Sequence, residues 1–265
     1  MSNQESKKYA VILGCSSGFG GATSIRLAKE GYDIFGVHLD RRATMPQVEA
    51  VIAKIESFGS KAHFYNANAA DEQKIKEISD DIREKIPDGQ HVKVMLHSLA
   101  FGTLKSFIDE PEKSLTRSNM NMTLEVMAHT LVYWTQALYW RNLLGHGSRI
   151  FAMTSHGSDK AVSYYGAVSA AKAALEAHVR QLALELGKVG TTVNAIRAGV
   201  TDTPALKKIP GNDLMIKTAL MRNPAGRLTT PEDIANAIVA LSSMDAQWIN
   251  GDVLSVDNAE NNIDG

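Results

Sequence analysis

Seven short, mostly apolar runs recur along the chain, at residues 9–13, 32–37, 61–65, 92–96, 148–153, 191–196 and 252–257. Between them lie longer amphipathic stretches at 22–30, 43–58, 71–86, 116–144, 164–186 and 230–242. Short continuous apolar runs suit strands covered on both faces, as in a parallel sheet. Their alternation with helices predicts an α/β fold with a doubly wound, seven-stranded parallel sheet. Asp71 is placed to cap the helix over 71–86. The stretch 116–144 reads as one long helix, crowded with Met, Leu, Trp and Tyr, in which Trp134 and Trp140 serve packing or a subunit interface. Residues 204–224, bounded by prolines, read as a variable loop. No internal repeat, low-complexity tract or linker interrupts the pattern, so residues 1–265 form a single domain.

The first strand runs into Gly14-Cys15-Ser16-Ser17-Gly18-Phe19-Gly20-Gly21, and a helical pattern follows. Strand, glycine-rich turn and helix form the context in which a dinucleotide pyrophosphate binds. Glycines let the backbone approach the phosphates, and the helix N-terminus supplies N–H groups and partial positive charge.

Composition narrows the remaining classes. The formal net charge is −1, which gives no electrostatic case for nucleic acid or a membrane surface. Cys15 is the only cysteine, so no disulfide framework exists and a reducing compartment fits. Residues 1–8 are polar, and no apolar run approaches a membrane span. A soluble, cytoplasmic protein is expected. No metal site is expected.

Candidate chemistry centres on Tyr164-Tyr165-Gly166-Ala167-Val168-Ser169-Ala170-Ala171-Lys172. A helix turns about 100° and rises about 1.5 Å per residue. The run from Tyr164 to Leu186 reads as a helix, so Tyr165 and Lys172 lie about 20° apart on one face, and Tyr164 lies about 80° off it. A phenol and an ammonium sharing a face can share a site, the cation making the phenol a better acid.

The Gly-x-x-x-Gly-x-Gly turn together with the Tyr and Lys of this stretch resembles the short-chain dehydrogenase/reductase superfamily, over essentially the whole chain. The resemblance implies a Rossmann-type sheet, an NAD(P)-dependent oxidoreductase and a homotetramer. Gly14, Ser16, Ser17, Gly18, Phe19 and Gly20 would hold the pyrophosphate. Asn68 would stand beside the adenine. Asn121 would kink its helix and order a water behind Lys172, and Ser155 would hydrogen-bond a substrate carbonyl. Gly199, Val200 and Thr203 would hold the nicotinamide amide and pyrophosphate, and residues 204–224 would be the substrate loop.

Three features resemble the enoyl-acyl carrier protein reductase branch. His97-Ser98-Leu99-Ala100-Phe101-Gly102 stands where most members carry Asn-Asn-Ala-Gly, with Ser98, Leu99 and Ala100 against the cofactor. Ala198-Gly199 replaces the usual Pro-Gly. Val168 occupies the position four before Lys172, where most members have the acid, and the nearest phenol is Tyr165, seven before. Ser155 departs from that branch, in which a second tyrosine is common. Chemistry accompanies the spacing: in enoyl-thioester reduction hydride lands on the β-carbon and charge develops on the thioester oxygen, two carbons farther along. A displaced phenol suits that geometry.

The resemblance therefore implies reduction of trans-2-enoyl thioesters, carried on acyl carrier protein or coenzyme A, in fatty acid synthesis. A carbonyl or alcohol oxidoreductase using Ser155 with Tyr165 or Tyr164 is the alternative. A non-catalytic nucleotide sensor is a third reading, disfavoured by the intact Tyr165, Lys172, Ser155 and Asn121. At the end of the second strand stand His38, then Asp40, Arg41 and Arg42. Two guanidinium groups can bind a 2′-phosphate, so NADP(H) is favoured. NAD(H) is the alternative, should Asp40 turn inward towards the ribose diol.

Overall fold

The computed structural model describes residues 7–263. Its centre is a seven-stranded parallel sheet: β1 (Lys8–Leu13), β2 (Tyr32–His38), β3 (Ala62–Asn66), β4 (Val92–His97), β5 (Arg149–Thr154), β6 (Thr192–Ala198) and β7 (Val253–Val256), in spatial order β3-β2-β1-β4-β5-β6-β7. Every residue of β2 and β5 is buried, which is why these strands read as continuous apolar runs rather than alternating ones. The order reverses direction between β1 and β4, and the carboxyl ends of those strands open a crevice there.

Helices cover both faces. On one side α1 (Gly18–Lys29), α2 (Met45–Glu56) and α8 (Pro231–Leu241) pack Leu27, Ile55 and Ile234 against the sheet. On the other, α3 (Glu72–Lys85), α4 (Arg117–Leu124), α5 (Thr130–Tyr139) and α6 (Gly166–Leu186) bury Ile82, Trp134 and Leu175. Asp71 caps α3 as its sequence position predicts, its carboxylate accepting from the Lys74 amide at 2.9 Å. Trp134 is fully buried, its indole donating to Ala69 O at 2.8 Å, whereas Trp140 is exposed.

Two elements differ from the sequence pattern. The stretch 116–144 is not one helix: a π-turn at Glu125–His129 separates α4 from α5, and the helical run ends at Tyr139. At the end of the π-turn the Thr130 hydroxyl bonds the Val126 carbonyl at 2.8 Å and thereby competes with the regular ladder. Residues 204–224 are not wholly a loop, because α7 (Asn212–Arg222) forms within them. Gly211, at φ +78, turns the chain into that helix. No helix among the described residues is long and apolar enough to cross a membrane.

Candidate active site

The glycine turn lies at the crevice. Gly14 has φ +86, and a Cβ there would come within 2.4 Å of Ser98 O; a Cβ on Gly20 would come within 2.1 Å of Gly14 O. Both contacts are impossible for any side chain, so turn, helix and β4 meet backbone to backbone. Ser17 precedes α1 without capping it, and no acidic residue lies in the first helical turn. The first amides of α1 therefore keep their donor capacity and their partial positive charge. The loop after β6 closes against this turn, with the Thr203 methyl 3.8 Å from where a Gly18 Cβ would stand. Thr203 also accepts from the Leu206 amide at 3.2 Å. Bare backbone, a free helix terminus and a closing loop fit a dinucleotide pyrophosphate.

At the end of β2, Asp40 turns inward. His38 Nδ1 lies 3.0 Å from its carboxylate. Burial works to raise the Asp40 pKa, but hydrogen bonds with Thr44, Ser16 and His38 hold it below the usual carboxylate range. Arg41 and Arg42 are exposed and enter no ion pair among the described residues. Asn68 is exposed too, and its side chain forms a local turn by accepting from the Ala70 amide at 3.0 Å.

Lys172 is 5% exposed and donates to Met153 O at 2.7 Å. Burial lowers its pKa to about 8, with Glu176 working in the opposite direction. Glu176 is one helical turn farther along α6, where it accepts from Thr154 at 2.6 Å and from Arg197 at 3.2 Å. Its i,i+4 spacing from Lys172 was visible in the sequence, and it was missed there.

Tyr165 is the residue before α6 rather than part of its first turn, with φ −96 and ψ 0. The helical-wheel argument thus does not apply to it strictly, yet the residue is partly buried. Its ring packs on Gly157, where a Cβ would lie 2.6 Å from the ring edge. Burial pushes the phenol's pKa up, and the facing Ser155 hydroxyl draws it back down. Ser155 also accepts from the Gly157 amide at 3.1 Å. Tyr164 is half-exposed with φ +63, and it turns instead into a cavity of about 710 Å³. That cavity lies between the 162–164 segment, Val200, α7 and Glu260. Val168 is buried, 2.9 Å from where a Gly102 Cβ would stand.

His97 is a buried structural histidine. Its Nε2 donates to Thr130 Oγ1 at 2.7 Å, because the Thr130 proton is already given to Val126 O. Burial, and then the Lys172 charge, lower its pKa to about 3. Asn121 does not occupy the place expected of it: it stands exposed on α4, and the helix irregularity falls beyond it, at Glu125–His129. Glu260 was invisible to sequence reasoning. It is 3% exposed, and its Oε1 accepts from the Val200 amide at 3.0 Å, anchoring the loop after β6.

The family described as Enoyl-(Acyl carrier protein) reductase matches residues 14–258, and the chain belongs to that family within the short-chain dehydrogenase/reductase superfamily. Three curated relatives frame it. The chain is 26% identical over 252 residues to the (2S)-[(R)-hydroxy(phenyl)methyl]succinyl-CoA dehydrogenase subunit BbsD of Thauera aromatica, covering 94% of each chain. It is 32% identical over 169 residues to the NADH-dependent enoyl-[acyl-carrier-protein] reductase FabI of Aquifex aeolicus, covering 62% of this chain and 60% of that one. A crystal structure of the Aquifex aeolicus enoyl reductase superposes with a TM-score of 0.83 at 25% identity, covering 97% of this chain and 98% of that one. A 1-cyclohexenylcarbonyl-CoA reductase of Streptomyces collinus is 27% identical over 254 residues, covering 95% of this chain and 86% of that one. The protein is an NAD(P)-dependent oxidoreductase.

Proposed function

We propose that the protein reduces trans-2-enoyl thioesters on acyl carrier protein or coenzyme A. The observation that carries this reading is the placement of the acid. Val168, four residues before Lys172, is buried and apolar, so the phenol that stands beside Ser155 is Tyr165. Such a phenol suits an oxygen displaced from the carbon that receives hydride. Enoyl thioester reductases among the relatives support the same class.

Bound nicotinamide would supply the hydride; everything else falls to side chains of this chain. The Gly14–Gly20 turn and the first amides of α1 would bind the pyrophosphate, and Lys172 the nicotinamide ribose. Gly199, Val200 and Thr203 would hold the nicotinamide end. Tyr165 would stabilise the developing enolate oxygen and deliver a proton from its phenol, with Ser155 orienting it. The inward carboxylate of Asp40 supports NAD(H), because it can accept from a ribose diol and would repel a 2′-phosphate. This moves the balance away from the NADP(H) that Arg41 and Arg42 favour in the sequence. A homotetramer in the cytoplasm and a role in fatty acid synthesis complete the proposal.

Carbonyl reduction is the second reading, favoured by Ser155, whose hydroxyl beside Tyr165 could polarise a ketone. Oxidation of NADH or NADPH in the presence of crotonyl-CoA, then of a ketone panel, separates the two. Turnover of crotonyl-CoA with silent ketones supports the enoyl reading. Turnover of ketones alone rejects it.

A further inference from the structure

The cavity beside Tyr164 has apolar walls from Val200, Leu214, Met215 and Ala219, and Arg222 lies at its edge as the last residue of α7. A guanidinium carries five donors and no acceptor, and it is costly to place against apolar walls without a partner. The other partly or fully buried arginines of the described chain bond at least one guanidinium nitrogen, although the Nε of Arg149 and of Arg197 is also buried without a partner. Arg26, Arg83, Arg141 and Arg197 pair with carboxylates, and Arg149 donates to the Ser148 and Ser243 carbonyls. Arg222 has no hydrogen-bond acceptor and no carboxylate within ion-pair distance among the described residues, and its Nε is buried without a partner.

Glu260, the nearest acidic group of the same cavity, does not supply that partner. One of its oxygens is held by the Val200 amide, and the other is buried without a hydrogen bond. Burial raises its pKa, and the Arg222 charge works the other way without a hydrogen bond between the two groups. The result is a cationic fork at the edge of a largely apolar cavity that feels the Glu260 charge from beyond bonding distance and has no hydrogen-bond acceptor among the described residues.

We propose that Arg222 recognises an anionic oxygen group carried by the thioester substrate, and so sets specificity. Two parts of such a substrate present that chemistry: a carboxylate on the acyl portion, or the phosphate of the carrier arm. The planar fork of arginine matches either by paired charge-assisted bonds. This inference rests on the enoyl thioester reading above.

The test compares the full-length wild type with Arg222→Met and Arg222→Gln, the second covering any folding defect of the first. Three substrates are used: crotonyl-CoA, crotonyl-pantetheine, which keeps the arm but lacks the phosphate, and glutaconyl-CoA, which adds an acyl carboxylate. Thermal unfolding and NADH fluorescence titration check that fold and nucleotide site are intact. Loss of one charge-assisted contact is expected to lower kcat/KM about 10–100-fold, through KM rather than kcat. If the phosphate is the partner, the loss appears with both coenzyme A substrates and not with crotonyl-pantetheine. If the carboxylate is the partner, it appears with glutaconyl-CoA alone. An equal change with all three substrates, or no change with any, overturns the inference while leaving the enoyl reading in place. A wild type that turns over none of the three overturns the enoyl reading, and this inference with it.

Discussion

Lys172 must be protonated to hold ribose hydroxyls and support the phenol, yet its surroundings oppose the charge. Burial lowers its pKa from 10.5 to about 8, a difference of about 2.5 pH units. At about 1.4 kcal/mol per unit, the folded chain sacrifices about 3 kcal/mol to keep the ammonium inside below pH 8. The sign follows directly. Above about pH 8 the ammonium deprotonates, so kcat/KM for NADH should fall about tenfold per unit while the fold gains stability up to the unfolded value. Glu176 opposes the burial effect, so Glu176→Gln should move this break to lower pH. Stopped-flow or steady-state rates from pH 6 to 10, with saturating crotonyl-CoA, provide the assay. A wild-type profile flat through pH 9, or a break that stays in place in Glu176→Gln, would refute the electrostatic account of Lys172.

Three further outcomes are expected. Tyr165→Phe should lower kcat by about 10²–10⁴-fold with little change in NADH affinity, and Tyr164→Phe should be mild; the reverse ranking would reassign the acid. Asp40→Ala should raise the KM for NADH by about tenfold, the loss of one good charged hydrogen bond, and ease NADPH binding. Replacing Arg41 and Arg42 with Ala should leave the NADH constant unchanged, and a large rise for NADH in the double variant would contradict the orientation of Asp40. His97 has a folded pKa near 3 against an ordinary 6.5, so the unfolded state binds its proton first as pH falls. Its contribution is complete above pH 6.5 and should shrink by about 2 kcal/mol by pH 5. Urea unfolding at pH 7 and 5 should show that loss in the wild type and not in His97→Gln.

The alternation of strands and helices was legible because each buried strand is an apolar run and each covering helix has one apolar face. Local backbone demands were legible for the same reason: Gly14 and Gly20 announce a close approach, and Asp71 announces a helix start. The Tyr165 and Lys172 pair could be picked out from its spacing in the chain, although Tyr165 stands before α6 rather than in it. What the chain alone did not reveal depends on residues brought together from distant segments. The inward turn of Asp40 is decided by His38 and by Asn66 of the neighbouring strand, and the depressed pKa of Lys172 by the sheet and helices that exclude water from it. The π-turn that displaces the expected role of Asn121 comes with Thr130, which bonds both His97 and Val126. α7 lacks a strong amphipathic signal, and only its packing over the cavity shows that Arg222 has no hydrogen-bond acceptor among the described residues. Periodicity reports which face of an element is buried; the charge and partners of a buried polar group are set by what packs against it.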